Sequence, residues 1–211
     1  MVKVKVCGIT NSDDAGRAIH YGASALGFIF YNKSPRFISP SKARRLIEGL
    51  PPFVTPVGVF VNQGERAIRD ICRVTRIGTI QLHGDEEPNF PKRFKDFKII
   101  KAFRLDPFFD FNSVAKYKVD AYLFDTHQKD SFGGTGVTFD WNRLTPYKFE
   151  KPVILAGGLN AENVKSAIET VNPYAIDVSS SLELSPGVKD PKLVRAFFEA
   201  IPSQGSQVPQ P

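Results

Sequence analysis

The chain has 211 residues, of which 42% are hydrophobic and 24% charged, and its formal net charge is +6. This composition is typical of a globular protein with enough apolar material for one large core, and it excludes a collagen-like or disordered chain. The apolar runs are short and broken by charge, so no transmembrane segment is predicted. The N-terminus lacks the long apolar stretch of a signal peptide, which favours a cytoplasmic location.

The cysteines, histidines and charges narrow the class of protein further. Cys7 and Cys72 are too few for a disulfide framework. His20, His83 and His127 show no metal-ligand spacing with them, so no metal site is expected. The excess positive charge is dispersed along the chain, which fits an anionic small-molecule substrate better than nucleic acid.

Eight apolar segments follow one another along the chain, each succeeded by a turn or glycine and then by an amphipathic stretch. Most are continuous apolar runs, as expected for strands of a parallel sheet that is covered on both faces. In chain order they read VKVKVC, ALGFIF, TPVGVFV, TIQLHG, FKIIKAF, DAYLFD, PVILAGG and YAIDVSS.

Helices are predicted between these strands, although the stretches around EEPNFPKRF, FNSVAKY and TFDWNRL are short or poorly patterned. Residues that favour a helix start precede several of them. The candidates are Asn11 or Ser12, Ser39 with Pro40 in the first turn, Asn62 and Asn160.

Eight βα units predict an α/β fold of the (β/α)8 TIM-barrel class, as a single domain over residues 1–201. An open doubly wound sheet is the alternative, but it usually carries its glycine-rich loop after the first strand, and here the glycines lie late. The polar segment 202–211 is rich in Pro, Gln and Ser and is expected to be a disordered tail.

In the first strand, valines alternate with Lys3 and Lys5, which indicates unlike surroundings on its two faces. The strand ends at Cys7, followed by Gly8, where the backbone can turn sharply or be closely approached. A small buried side chain at the end of a strand is the plain interpretation of Cys7.

Functional residues of a TIM barrel lie at the C-terminal ends of its strands and in the loops that follow. The residues found there are Cys7, Arg36, Gln81, His83, Asp125, Gly157, Gly158, Asp177, Ser179 and Ser180. Gln81 and His83 suit either substrate contacts or hydrogen bonding at the barrel rim.

The loops after the seventh and eighth strands are candidates for a phosphate site. Gly157 and Gly158 offer backbone N–H groups without side chains in the way, and a helix start follows them. Ser179 and Ser180 supply hydroxyls and, if they open a short helix, further N–H donors. Tight turns without a ligand are the alternative for both loops.

Cys7 and Asp125 are a candidate base and acid, because the first and sixth strands are separated by roughly a third of the ring. A thiolate is a competent base once positive charge lowers its pKa. A carboxyl is a competent acid if partial burial raises its pKa. Asp125 also suits a helix cap or turn.

Together these motifs resemble the phosphoribosylanthranilate isomerase family, which acts in tryptophan biosynthesis. The resemblance runs in order from residue 4 to about residue 190. The segments that carry it are KVCGIT, GFIFYNKSPRFIS, VGVFVN, QLHGDE, LFDT, GGTGVTFDW, AGGLNAENV, IDVSSSLE and SPGVKD.

The resemblance implies an Amadori rearrangement of an aminoaldose into an aminoketose, with no cofactor. Cys7 is then the general base and Asp125 the general acid. Arg36 is implied to pair with the anthranilate carboxylate, because a guanidinium can hold a carboxylate with two parallel hydrogen bonds. Gly157, Gly158, Ser179 and Ser180 map to the phosphate loops, and Asp177 to a contact near the ribose or the anthranilate nitrogen. Gln81 and His83 match the motif on the fourth strand.

Two positions depart from the family pattern. Ser181 stands where glycine is usual, and it would be strained by about 1–3 kcal/mol if the position needs positive φ. Val137 stands where a basic residue is common, in the glycine-rich loop. Both departures leave the implied catalytic groups in place.

Two other functions fit parts of the pattern. Indole-glycerol-phosphate synthase or a bifunctional sugar isomerase would share the late phosphate loops. The synthase would need a catalytic lysine, for which Lys101 is the candidate, but the expected glutamate partners of Lys101 are not evident in the sequence. A barrel that binds ligand without catalysis is the other alternative.

The chain is expected to be a monomer or a homodimer. Phe108, Phe109 and Phe132 are candidate interface residues or packing residues under loops.

Overall fold

The structure is a computed structural model that describes residues 2–126 and 140–202. His127, Phe132, Val137 and the glycine-rich loop that contains the last two lie outside these ranges. So does the predicted tail from residue 203 onward. None of the helices among the described residues has the length and apolar character needed to span a bilayer.

Eight parallel strands close into a barrel, and each pairs with its neighbours in chain order. Parallel strands need crossover connections, and the chain supplies one after each strand. The strands are β1 (Lys3–Cys7), β2 (Ala25–Ile29), β3 (Thr55–Phe60), β4 (Thr79–Leu82), β5 (Lys98–Leu105), β6 (Ala121–Thr126), β7 (Val153–Leu155) and β8 (Ala175–Val178). The predicted TIM-barrel fold is confirmed.

The described residues form five α-helices, which pack outside the barrel. They are α1 (Ser12–His20), α2 (Pro40–Glu48), α3 (Glu65–Thr75), α4 (Val164–Val171) and α5 (Pro191–Ala200). The local predictions for the first two are confirmed, since Asn11 caps α1 and Ser39 caps α2 with Pro40 in its first turn. After β8, a hairpin of β9 (Glu183–Ser185) and β10 (Val188–Lys189) precedes α5.

Two predicted helix starts are wrong. Asn62 has a φ of 54°, and its side chain accepts a hydrogen bond from the N–H of Asp85, so α3 begins only at Glu65. The side chain of Asn160 accepts from the N–H groups of two following residues within a turn, and α4 begins after that turn, at Val164. In both places the asparagine holds a loop rather than a helix.

The three poorly patterned stretches contain 3-10 helices, at Pro91–Arg93, Phe111–Lys116 and Trp141–Leu144. Aromatic rings cover the barrel near β6, between the second and third of these segments. Phe111, for example, packs with its ring centroid 5.9 Å from that of Phe124 on β6. Phe109 also packs here, whereas Phe108 is 94% exposed.

The barrel has two separate apolar cores. The larger lies between the strands and the helices and includes Val4, Val6 and Phe28. The smaller fills the barrel interior with Val57, Leu123 and other small or branched side chains. Because side chains alternate along a strand, the valines of β1 face the helices, and Lys3, Lys5 and Cys7 face the interior.

Candidate active site

A pocket opens at the C-terminal end of the barrel, where the sequence predicts the site. Every residue predicted for the site lines this pocket. They are Cys7, Arg36, Gln81, His83, Asp125, Gly157, Gly158, Asp177, Ser179 and Ser180. The closed barrel explains this convergence, because the C-terminal ends of all eight strands meet at one rim.

Cys7 is the last residue of β1 and its side chain is buried at the pocket. The thiol pKa is raised, chiefly by burial, although the charges of Lys5 and Lys189 oppose this effect. The lowered pKa that would make a ready thiolate is therefore absent from the unliganded site. Burial outweighs the two nearby ammonium groups because a thiolate loses its hydration there.

Lys5 lies two residues before Cys7 on the same interior face. Its Nζ is 2.7 Å from Asp177 Oδ2, and both side chains are almost fully buried. The register of β1 and β8 explains the contact, because Lys5 and Asp177 are direct partners in the ladder. Burial alone would lower the pKa of Lys5, but the charges of Asp177 and Cys7 outweigh it and raise that pKa, so Lys5 is an ammonium.

Asp125 is held at the end of β6, and the two strands β7 and β8 lie between β6 and β1 around the ring. Its Oδ1 accepts the N–H of Thr126 at 2.8 Å, and its Oδ2 lies 3.2 Å from His83 Nε2. Gln81 Nε2 is 2.7 Å from His83 Nδ1. If the amide donates there, His83 carries its proton on Nε2, which lies near Asp125 but makes no hydrogen bond within the described residues.

Two buried acceptors of the pocket have no hydrogen-bond partner within the described parts of the chain, namely Gln81 Oε1 and Asp177 Oδ1. Buried polar atoms are normally hydrogen-bonded. These two oxygens are therefore available to a polar ligand in the pocket.

The loop after β7 has the backbone expected of an anion site. Gly157 and Gly158 have φ values of 85° and 66°. An added Cβ on Gly157 would lie 2.3 Å from Thr126 Oγ1 and 2.8 Å from Asp125 Oδ1. The position therefore needs glycine both for its conformation and for the close approach of Asp125.

The loop after β8 turns into a short 3-10 helix at Ser180–Leu182. Ser179 Oγ donates to the carbonyl of Cys7 at 3.1 Å, so this hydroxyl ties β8 to β1. Ser181 is not among the described residues with positive φ, and its Oγ donates to the carbonyl of Leu159. The expected strain at Ser181 is therefore absent, because the 3-10 turn suits an ordinary L residue.

Arg36 reaches the pocket from the loop after β2, but its guanidinium is already held. Nε lies 3.0 Å from both carboxylate oxygens of Glu183, and Nη2 lies 2.8 Å from Oε2. Lys189 Nζ donates to the same carboxylate at 2.8 Å and to the carbonyl of Cys7 at 2.7 Å. Burial alone would raise the pKa of Glu183, but the contacts with Arg36 and Lys189 outweigh it and lower that pKa.

Lys101 does have a glutamate partner, contrary to the expectation from the sequence. Its Nζ lies 2.7 Å from Glu86 Oε2, and both side chains are buried. The pair lies outside the barrel interior, where Lys101 also donates to the carbonyl of Gly84. Lys101 does not line the pocket.

Three charged residues at the site are not predicted from the sequence, namely Lys5, Lys189 and Glu183. Lys5 was visible in principle, because it shares a strand face with Cys7. Lys189 and Glu183 lie in the hairpin after β8, and nothing local in that segment indicates that it folds back on Cys7. Among residues 2–126 and 140–202 there is no group of three or more His, Cys, Asp or Glu residues that could hold a metal ion.

Comparison with known proteins shows the family of the chain. Residues 4–200 match the family model of N-(5'-phosphoribosyl)anthranilate isomerase. A relative of that name from Geobacter sulfurreducens is 45% identical over 198 residues, which cover 94% of this chain and 97% of the relative.

Two solved structures share the fold closely. Phosphoribosylanthranilate isomerase in complex with reduced 1-(o-carboxyphenylamino)-1-deoxyribulose 5-phosphate has a TM-score of 0.85 and 40% identity, covering 95% of this chain and 98% of that one. Monomers of the dimeric phosphoribosylanthranilate isomerase from Thermotoga maritima have a TM-score of 0.85 and 39% identity, with the same coverage of both chains. The chain therefore belongs to the family of phosphoribosylanthranilate isomerases, the intramolecular oxidoreductases that convert an aminoaldose into an aminoketose in tryptophan biosynthesis.

Proposed function

We propose that this chain isomerises phosphoribosylanthranilate by acid and base catalysis, with Asp125 as the acid and Cys7 as the base. The observation that carries the proposal is that both side chains line one pocket, although they come from opposite halves of the sequence. That pocket also contains the glycine backbone suited to a phosphate and an arginine suited to a carboxylate.

In the first step Asp125 protonates the ring oxygen of the ribose. The bond between that oxygen and the anomeric carbon breaks, and the nitrogen lone pair forms a protonated imine. His83 Nε2 lies 3.2 Å from Oδ2 of this carboxyl and is available to donate to the carboxylate that forms when the proton leaves.

In the second step the Cys7 thiolate removes the proton from the adjacent sugar carbon. The electrons of that C–H bond move into the imine and give a neutral enolamine. Transfer of a proton from the enol hydroxyl to the former anomeric carbon then yields the ketone. Proton exchange with solvent returns Cys7 and Asp125 to their starting forms, and no electron acceptor is needed, because the protonated imine takes the electron pair.

The remaining residues of the pocket bind and orient the substrate. The backbone N–H groups at Gly157, Gly158, Ser179 and Ser180 hold the phosphate, and Arg36 holds the anthranilate carboxylate. The unpartnered Oδ1 of Asp177 accepts a hydrogen bond from the sugar or from the anthranilate nitrogen. Gln81 orients His83 and offers its free oxygen to the same ligand.

Steady-state turnover of phosphoribosylanthranilate, followed by the loss of its fluorescence, tests these roles. Cys7→Ser and Asp125→Asn should each lower kcat by about 10²–10⁴-fold, because each removes one proton-transfer group. Cys72→Ser is the matched control, since Cys72 is also buried but lies on α3 outside the pocket. Near-normal kcat in Cys7→Ser would contradict the base assignment.

We further propose a cytoplasmic homodimer. The dimeric Thermotoga maritima relative supports the assembly. Two large apolar side chains of the described residues are 94% exposed, Phe53 before β3 and Phe108 after β5, so they mark opposite ends of the barrel. Sedimentation velocity of Phe53→Ser and Phe108→Ser tests which end pairs, and a monomeric wild type would contradict the proposal.

A further inference from the structure

Lys5 lies on the same strand as the proposed catalytic thiol of Cys7. Its surroundings are unusual for a lysine. Its ammonium is buried inside the barrel rather than extended to solvent, with a side-chain exposure of 3%. Buried ammonium groups are costly unless they are paired. Lys5 is paired with Asp177 at 2.7 Å, and the register of β1 and β8 fixes the two residues side by side.

Gly27 on β2 shows how closely Lys5 and Cys7 meet. Gly27 is the ladder partner of Cys7, and an added Cβ there would lie 2.6 Å from Cys7 Sγ and 3.1 Å from Lys5 Nζ. The missing side chain at Gly27 thus leaves the space in which the sulfur and the ammonium group approach each other. The charge of Lys5 accordingly acts on Cys7 and opposes the effect of burial on the thiol pKa.

We propose that Lys5 is a positioning residue for the isomerisation, whose ammonium group stabilises the thiolate form of Cys7, while Asp177 holds that ammonium in place. This role rests on the proposed function of Cys7 as the base. It accounts for how a buried thiol can become a base at all, because burial by itself disfavours the charged form.

The other charged groups around Cys7 do not supply this effect to the same degree. Lys189 reaches the site from β10, where its ammonium binds the backbone carbonyl of Cys7 and the carboxylate of Glu183, and its charge acts on the thiol less than that of Lys5. Arg36, from the loop after β2, is likewise held by Glu183. Asp177 opposes thiolate formation, and the charge of Lys5 offsets it.

The charge states of the two lysines support the same distinction. Burial lowers the pKa of Lys189 more than Glu183 and Cys7 raise it. In contrast, the pKa of Lys5 is raised by Asp177 and Cys7 in spite of burial. Lys5 is therefore the cation that persists as the pH increases toward the range where a thiol ionises.

The test is a titration of the Cys7 thiolate by its ultraviolet absorption, in a Cys72→Ala background so that only one thiol contributes. Lys5→Met should raise the pKa of Cys7 by about 1–3 pH units, since an opposite charge at close range shifts a pKa by that amount. At any pH below the thiol pKa values of both proteins, this rise corresponds to about 10- to 1000-fold less thiolate in Lys5→Met. Lys5→Arg keeps a cation at this position and should leave the pKa of Cys7 much closer to its wild-type value than Lys5→Met does.

A thiol pKa that is raised in Lys5→Met and largely restored in Lys5→Arg, with circular dichroism unchanged, supports the proposal, since restoring the charge would not repair packing damage. Equal thiol pKa values in wild type and Lys5→Met would overturn it. If Lys5→Met does not fold, Lys5→Met/Asp177→Asn removes both charges together, and a thiol pKa there no higher than in the wild type would overturn it as well, because Lys5 acts on the thiol more strongly than Asp177 does.

The pH profile of kcat/KM separates this proposal from the proposed function. In Lys5→Met the inflection that follows the measured thiol pKa should move upward with it, with a loss of turnover at neutral pH of at least about tenfold. If Cys7→Ser turns over normally while the thiol pKa still responds to Lys5, the base assignment fails. The electrostatic link between Lys5 and Cys7 then stands without a catalytic role.

Discussion

Arg36 and Glu183 form a bidentate ion pair at the rim of the pocket, with Nε 3.0 Å and Nη2 2.8 Å from the carboxylate. Arg36 follows β2 and Glu183 follows β8, and β1 lies between these two strands in the closed barrel. Arg36 is therefore oriented before any ligand arrives. A guanidinium has five N–H donors, so the pair with Glu183 leaves others for a second carboxylate.

Glu183→Gln should weaken substrate binding more than chemistry. The neutral amide loses the charge-assisted contacts to Arg36 and Lys189, and hydrogen bonds to charged groups contribute about 1.5–3 kcal/mol each. Because Arg36 is proposed to bind the carboxylate away from the reacting bonds, KM should rise roughly tenfold or more while kcat changes little. Steady-state kinetics at several substrate concentrations give both values.

Glu48→Gln is the matched control for Glu183→Gln. It breaks the exposed ion pair with Arg44 within α2, which contributes about 0–1 kcal/mol. Both KM and kcat should stay at their wild-type values. A fall of kcat in Glu183→Gln as large as the fall of kcat/KM would instead place Glu183 in the chemistry.

Cys72 should make the protein lose stability at alkaline pH. Burial raises its pKa to about 12, from an unfolded value near 9.0. Between these values the unfolded thiol has lost its proton and the folded thiol has kept it, so unfolding becomes easier as the pH rises. One proton corresponds to a slope of at most about 1.4 kcal/mol per pH unit.

Urea denaturation of wild type and Cys72→Ala over a series of pH values tests this effect. The difference between their free energies of unfolding should be constant below about pH 9 and should change in favour of Cys72→Ala above it. All other titrating groups are common to both proteins and cancel in the difference. Parallel curves throughout would show that the folded thiol ionises at its ordinary pKa.

The sequence predicts the barrel and the members of the pocket because both depend on order along the chain. The end of a strand can be predicted from the residues around it. Closure of the barrel then brings the strand ends that carry Cys7 and Asp125 to one rim. The caps at Asn11 and Ser39 are predicted for the same reason, since a cap depends on the next few residues alone.

Contacts between distant segments are what the sequence does not predict. The alternation of valine and lysine in β1 is the same for a face toward solvent and for a face toward the barrel interior, so the burial of Lys5 against Asp177 cannot be inferred from it. Asn62 has the residue type of a helix cap, but the loop after β4 engages its side chain. The raised pKa of Cys7 likewise depends on how deeply the barrel buries it.

Lys101 is expected to stabilise the fold without taking part in the chemistry. Lys101→Met leaves Glu86 without its buried counter-charge, and breaking such a pair typically costs about 3–5 kcal/mol. Turnover per folded molecule should be largely kept, because Lys101 lies outside the pocket. Chemical denaturation and an activity assay on the same preparation measure both effects.

The control for Lys101→Met is Lys98→Met, at a lysine on the same strand, β5. This change breaks the exposed ion pair of Lys98 with Asp120 and should cost about 0–1 kcal/mol. A Lys101→Met protein of unchanged stability and strongly reduced turnover would mean that the lysine acts in catalysis after all.

Gly157→Ala should damage both stability and catalysis. The residue has a φ of 85°, a conformation that costs a non-glycine residue about 1–3 kcal/mol. Its new Cβ would also lie 2.6 Å from the backbone nitrogen of Thr126 and 2.8 Å from Asp125 Oδ1, so the end of β6 must move. Because Asp125 is the proposed acid, its displacement should lower kcat by about tenfold or more, since a misplaced group loses much of its catalytic advantage.

Gly64→Ala separates this effect from the general cost of replacing a glycine. Gly64 precedes α3, its φ of −68° is open to any residue, and an added Cβ there would meet nothing within 4 Å. Its thermal stability and kcat should remain close to wild type. If Gly157→Ala loses stability but keeps full kcat, the contact between the glycine loop and Asp125 does not control the position of the acid. In that case the loop after β7 serves phosphate binding alone, and KM should carry the whole effect.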